Sequence, residues 1–149
     1  MINIISFKTT IGWITLKESH QKLLSVKFGK EKNYGKSKYL SKVKNQILLY
    51  FSGKLKEFNL NIFLEGSVLQ KKIWRELQKI PYGNTKTYGE IANKLNTSPR
   101  YVGNVCGQNK HLLVIPCHRV IRFDGSLGGF SGLGGVKLKN KLIKMEDNV

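Results

Sequence analysis

Acidic side chains are scarce in this chain. Nine aspartates and glutamates stand against 26 lysines and arginines, so the formal net charge is +17 over 149 residues. A surface of that sign attracts polyanions, and nucleic acid is the first partner class it suggests. Of the 26 basic residues 22 are lysine, and asparagine and isoleucine are abundant, so biased composition is a competing source for part of the excess. Residues 1–66 carry 12 basic and 4 acidic residues and residues 67–149 carry 14 and 5, so charge alone does not locate a contact surface. Cysteine is scarcer still. Cys106 and Cys117 are the two present and form no CxxC pair, which argues against a structural zinc site; no metal or other cofactor is expected. No apolar run approaches the roughly 20 residues that span a bilayer. The first residues also lack the basic start and long apolar core of a signal peptide. A soluble, cytoplasmic protein with reduced thiols is expected, associated with the nucleoid if prokaryotic.

With 40% hydrophobic and 10% aromatic residues, the chain holds enough core for one domain or two small lobes. Residues 2–7, 11–17 and 23–28 are rich in Ile, Val, Phe and Trp and are parted by polar turns, which predicts a three-stranded antiparallel meander. Residues 29–38, lysine-rich with two glycines, predict a mobile loop. Val43, Ile47, Leu48, Tyr50 and Phe51 recur at near-helical spacing, predicting a helix over about 39–52 that stops at Gly53. Residues 54–66 read as a partly extended linker. His20 falls in a turn without another ligand type nearby and reads as a solvated surface histidine.

Beyond residue 66 the pattern becomes helical. Ser67 and Gln70 form a capping-box signal before a stripe of Val68, Leu69, Ile73, Trp74, Leu77 and Ile80, ended by Pro81 and Gly83. Thr87 with Glu90 opens a short helix over 88–95. Ser98 as N-cap and Pro99 at the first helical position open another, reaching about residue 108. Two short helices joined by a tight polar turn resemble a helix-turn-helix, which in a basic chain points to DNA; ordinary helical packing produces the same pattern. Residues 127–135 hold five glycines in nine, a loop that lets backbone approach a flat ligand. It lacks the GKS/T ending of a phosphate loop. A lysine-rich helix over 136–146 follows, with Glu146 near the end that its dipole disfavours.

Within this frame lies Ile115-Pro116-Cys117-His118-Arg119-Val120. A thiolate attacks saturated carbon well, and an adjacent imidazole promotes thiolate formation. The plainer reading makes residues 112–115 a buried strand and Cys117 a small core residue, since neighbours on a strand face opposite ways. Both readings stand on the pair alone.

The ordered set IPYGNTKTYGEIA (80–92), SPRYVG (98–103), Asn109, IPCHRVI (115–121) and LGGFSG (127–132) resembles the O6-alkylguanine-DNA alkyltransferases, the methylated-DNA-protein-cysteine methyltransferases. The resemblance covers about residues 67–146 and is specific; the amino-terminal part agrees in length and in its strand-then-helix order. It implies a mixed α/β (α+β) fold. A small ribonuclease-H-like lobe with a three-stranded antiparallel sheet would occupy residues 1–66, and a mostly helical, DNA-binding and alkyl-accepting domain containing the helix-turn-helix would occupy 67–149. Cys117 would be the alkyl acceptor, His118 the base acting through a bound water, and Glu146 the carboxylate that orients it. Asn109 would brace the turn between the recognition helix and the active-site strand. Tyr88 would assist the leaving base, and Arg100 would enter the duplex in place of the flipped nucleotide. Backbone at Ser131 and the carbonyls of Cys117 and Val120 would contact guanine, with Phe130 as a stacking face. The chain departs from the family pattern at Tyr101, at Phe130 and by two extra residues around 133–135.

The implied function is direct-reversal DNA repair. A monomer would bind double-stranded DNA through the minor groove, flip the alkylated base and transfer the alkyl group once from guanine O6 to Cys117, with O4-alkylthymine a second candidate substrate. Two other classes compete: a non-repairing alkylguanine sensor of the alkyltransferase-like type, which lacks the cysteine, and a Cys-His hydrolase, which would turn over.

Overall fold

The computed structural model describes residues 1–128 and 135–147. It divides into two compact units, Met1–Leu64 and Glu65–Val149.

In the first unit β1 (Asn3–Thr9), β2 (Gly12–Ser19) and β3 (Lys22–Phe28) form the antiparallel meander expected, in the order β1-β2-β3. Helix α1 (Lys38–Phe51) packs against β1 and β2. Its N-cap is Ser37, whose hydroxyl accepts from the Leu40 amide at 3.1 Å. Leu40, Val43, Ile47 and Tyr50 are the buried positions, spaced 3, 4 and 3, so they form one stripe facing the sheet. Each contributes about 1.5–3 kcal/mol by leaving water. Leu48, read from the sequence as part of that stripe, points outward at 38% exposure. The supposed mobile loop at 29–38 is tied to the edge of β1: Ile4 and Tyr34 exchange backbone hydrogen bonds of 2.8 and 2.9 Å, and the Ser6 hydroxyl donates to the Glu31 carbonyl. The linker likewise contributes a parallel bridge, Leu23 with Ile62. Both contacts have one cause: an open sheet edge leaves backbone groups that a neighbouring segment satisfies.

The second unit begins with α2 (Val68–Gln78), whose capping box is complete. Its Ile73, Trp74 and Leu77 are buried, and Trp74 Nε1 donates to the Val105 carbonyl at 3.2 Å, fixing α2 on α4 (Pro99–Gly107). Between them lie β4 (Lys86–Thr87) and α3 (Tyr88–Lys94), capped by Thr87. The α3–α4 turn closes through Thr97 N–H donating to the Ala92 carbonyl, with Asn96 at φ 56°, a left-handed conformation asparagine tolerates. Residues 112–115 are not a strand. They form a buried turn in which the Ile115 amide donates to the His111 carbonyl at 2.8 Å and Leu113 has φ 73°. Cys117–Arg119 is a 3-10 turn leading into β5 (Val120–Ile121), which pairs in parallel with β4. That pairing sets the start of α3, and hence Tyr88, beside the Cys-His turn. Helix α5 (Gly135–Asp147) closes the unit with Leu138, Lys139, Leu142 and Glu146 buried. Among the described residues, no helix is long and apolar enough to cross a membrane.

Candidate active site

Cys117 and His118 are consecutive residues of the 3-10 turn, with side chains 3% and 0% exposed. A turn does not force neighbours to opposite faces as a strand does, which removes the geometric objection to the pair acting together. Asn109 follows α4 and ties this turn down. Its Nδ2 donates to the Ile115 carbonyl at 2.8 Å and to Cys117 Sγ at 3.3 Å, while its Oδ1 accepts from the His111 amide at 2.8 Å. The same amide thus contacts both the backbone of the turn and the thiol.

Glu146 reaches His118 despite the two extra residues upstream, because α5 carries it there: Oε2 lies 2.7 Å from His118 Nε2. Sequence reasoning gave no role to Arg119. Its Nε and Nη2 donate to Glu146 Oε1 and Oε2 at 2.8 and 2.9 Å, and its Nη1 donates to the Ile80 carbonyl at 2.8 Å. This bidentate pair keeps the carboxylate ionised and acceptor-only. His118 therefore carries its neutral-state proton on Nε2, leaving the lone pair on Nδ1, an atom that is buried and has no hydrogen-bond partner among the described residues. The basic nitrogen is Nδ1.

Tyr88 is half-buried at the start of α3. Lys139 of α5, fully buried, donates from Nζ to Tyr88 Oη at 3.1 Å. Its signal in the sequence was positional: Lys139, Leu142 and Glu146 share one face at i, i+3, i+7, so the lysine falls on the apolar stripe. Tyr88, Arg100, Gly103, Cys106, Cys117 and Gly128 line one cavity of about 760 Å³. Arg100 is exposed near the start of α4, and Tyr101 is half-buried beside it. Val120 is buried, its N–H donating to the Cys117 carbonyl. Phe130 and Ser131 lie outside the described residues. Among the described residues, no three His, Cys, Asp or Glu side chains are grouped to hold a metal.

A Cβ at Gly128 would fall 2.8 Å from Cε2 and 2.9 Å from Cζ of the Tyr88 ring. Gly128→Ala is therefore expected to displace that ring at a cost of about 1–3 kcal/mol, read as a lower denaturant midpoint.

Burial decides the resting charges. It pushes the Cys117 thiol up from 9.0 to about 11, against the lowering effects of the Asn109 amide and the Lys139 ammonium. It holds His118 below its ordinary 6.5, outweighing the hydrogen bond that His118 donates to Glu146 and the charge of that carboxylate. Burial also raises Tyr88 to about 12, helped by the nearby Cys106 and Cys117, and lowers Lys139. The resting pair is thus neutral thiol and neutral imidazole. Because the folded His118 resists protonation, the stability it contributes is present above 6.5 and is lost as pH falls below that value. Because folded Cys117 holds its proton, its contribution is present below 9.0 and is lost as pH rises toward about 11. Thermal melts at about pH 5, 7.5 and 10 should show both losses, the alkaline one reduced in Cys117→Ala.

Residues 68–148 match the family model described as 6-O-methylguanine DNA methyltransferase, DNA binding domain, and residues 4–64 match that described as its ribonuclease-like domain. The methylated-DNA--protein-cysteine methyltransferase of Methanosarcina acetivorans is 35% identical over 150 residues, covering 94% of this chain and 95% of the relative. The crystal structure of the Mycobacterium tuberculosis O6-methylguanine methyltransferase superposes with a TM-score of 0.87 at 32% identity, over 99% of this chain and 93% of that one. OGT of the same organism in complex with DNA gives 0.85 at 31% identity, over 96% and 92%.

Proposed function

The chain belongs to the 6-O-methylguanine DNA methyltransferase family, and on that premise we propose that it repairs DNA by direct reversal, moving an alkyl group from guanine O6 to Cys117 in a single, irreversible event. The observation that carries this reading is one cavity walled by both Cys117 and Tyr88, with exposed Arg100 in the same wall.

The chemistry follows from the atoms present. The Cys117 proton passes to His118 Nδ1 through a bound water as Sγ attacks the alkyl carbon. The S–C bond forms while the C–O6 bond breaks, and that bond's electrons pass to the purine. A guanine anion is a poor leaving group, so a proton delivered to a ring nitrogen from Tyr88 Oη lowers the barrier. Lys139, donating to the same oxygen at 3.1 Å, stabilises the phenolate and returns a proton to it. Its lowered proton affinity suits that role. Glu146, held by Arg119, fixes the imidazole with Nδ1 free to accept. The thioether product has no easy leaving path, so each molecule acts once, without cofactor.

Reaching a base inside the stack costs a few kcal/mol, which an inserted Arg100 and the glycine-lined cavity offset. The chain would act as a monomer on cytoplasmic double-stranded DNA, approaching the minor groove with α4. Asn109 positions the thiol, and the carbonyls of Cys117 and Val120 with the Phe130-Ser131 segment would contact the base. Titration with O6-methylguanine duplex tests the reading. It requires consumption to stop at one equivalent of protein, whereas a hydrolase continues and a sensor consumes none.

A further inference from the structure

Phe123 is the most exposed large hydrophobic side chain among the described residues, at 92%. A lone exposed apolar residue is ordinary; the position of this one is not. It lines the same cavity as Cys117 and Tyr88, together with Arg100 and Arg122. The turn that presents it is closed by its own hydrogen bonds. The Gly125 amide donates to the Arg122 carbonyl at 2.9 Å and the Arg122 amide to the Ser126 carbonyl at 3.0 Å. Asp124, the one acid on this wall, accepts from the Ser126 amide and hydroxyl at 3.0 and 2.7 Å, so its carboxylate is engaged within the turn. A closed turn therefore presents an exposed ring on the same wall as Arg100 and Arg122, at the cavity read as the receptor of the damaged base.

We propose that Phe123 is a stacking residue for DNA, its ring lying against the nucleobase next to the everted alkylguanine and helping, with Arg100, to hold the duplex open there. The inference rests on the reading of the cavity as the receptor of that base. Aromatic rings stack on bases without regard to sequence, because every base has a π-face, and the flanking arginines supply the charge that a phosphate backbone seeks. Of the charged residues on this wall, Arg100 and Arg122 are cationic and the carboxylate of Asp124 is engaged within its turn, which suits a phosphate-bearing partner better than an apolar protein surface. Stacking also explains why a solvent-exposed phenylalanine is tolerated beside polar turn residues: its partner arrives with the substrate.

The test compares Phe123→Ala, Phe123→Leu and Phe123→Trp on two probes, O6-methylguanine in duplex DNA and free O6-benzylguanine, which needs no duplex. The ratio of the second-order rate on duplex to that on the free base should fall about tenfold in the alanine variant. It should fall similarly with leucine and stay within about twofold of the wild type with tryptophan. An unchanged ratio in Phe123→Ala, or full rescue by leucine, overturns the proposal. A loss shared equally by both probes overturns it too, by making Phe123 a wall of the alkyl pocket. If the wild type transfers nothing from either probe, the parent reading fails instead. Stacking is then judged by 2-aminopurine placed beside the lesion, bound by Cys117→Ala protein. Its fluorescence change must be diminished by adding Phe123→Ala, and an unaltered change contradicts stacking.

Discussion

Replacing Arg119 with methionine is expected to lower folding stability by about 3–5 kcal/mol, read as a fall in the denaturant midpoint, and to abolish alkyl transfer. Arg119 and Glu146 are 6% and 3% exposed and meet through two hydrogen bonds, of 2.8 and 2.9 Å. Methionine fills much of the same volume but leaves the Glu146 carboxylate buried without its counter-charge. The carboxyl then takes up a proton or draws one from solvent through His118, and either response changes the tautomer on which the mechanism depends. The Ile80 carbonyl also loses its donor. Lysine in place of Arg119 keeps the charge but cannot make the bidentate pair, so Arg119→Lys should recover part of the stability and little of the activity. A thermal midpoint near that of the wild type in Arg119→Met would show that Glu146 needs no such partner.

Tyr88→Phe should slow transfer by about a hundredfold or more while leaving affinity for methylated duplex nearly unchanged. The ring that faces Gly128 is retained, so the cavity keeps its shape, and what is lost is the hydroxyl, with the hydrogen bond it accepts from Lys139. Single-turnover rates at saturating DNA separate the two quantities. A drop in affinity with an unaltered rate would assign Tyr88 to binding. If Lys139 supplies the phenol as proposed, Lys139→Met should slow the same step without adding its full effect to that of Tyr88→Phe, since both act on one proton.

Sequence signals are legible where the physics is local. The capping residues Ser67, Thr87 and Ser98 each start a helix, and Pro99 sits at the first position of α4, because caps act within four residues. The three β runs announced their meander by composition and turns. The segment 112–115 misled because a buried apolar run looks the same as strand or turn until its hydrogen-bond partners are known. The parallel pair β4–β5 is two residues long and joins positions 34 apart, Lys86 and Val120, so no periodicity announces it. Arg119 was visible in the Cys-His motif, but its partners at Ile80 and Glu146 come from distant elements. Lys139 was hidden by the other lysines of α5. Its place on the apolar stripe was the available clue.

The site itself was legible as an ordered string of motifs and not as chemistry. Cys117 beside His118 suggests an activated thiol, yet burial leaves both neutral at rest, with the thiol pushed up to about 11. Activation must therefore accompany substrate entry, and the groups poised for it are His118 Nδ1, Asn109 Nδ2 and the Lys139 ammonium. A thiol that is buried and holds its proton is expected to react slowly with general thiol reagents.

The most direct measurement is intact-protein mass spectrometry, with peptide mapping, after incubation with duplex DNA carrying one O6-methylguanine. The account predicts a gain of one methyl group in place of one hydrogen, located on Cys117 and absent from Cys117→Ala. No mass gain, or a methyl group found on another residue or still present in Cys117→Ala, would contradict it.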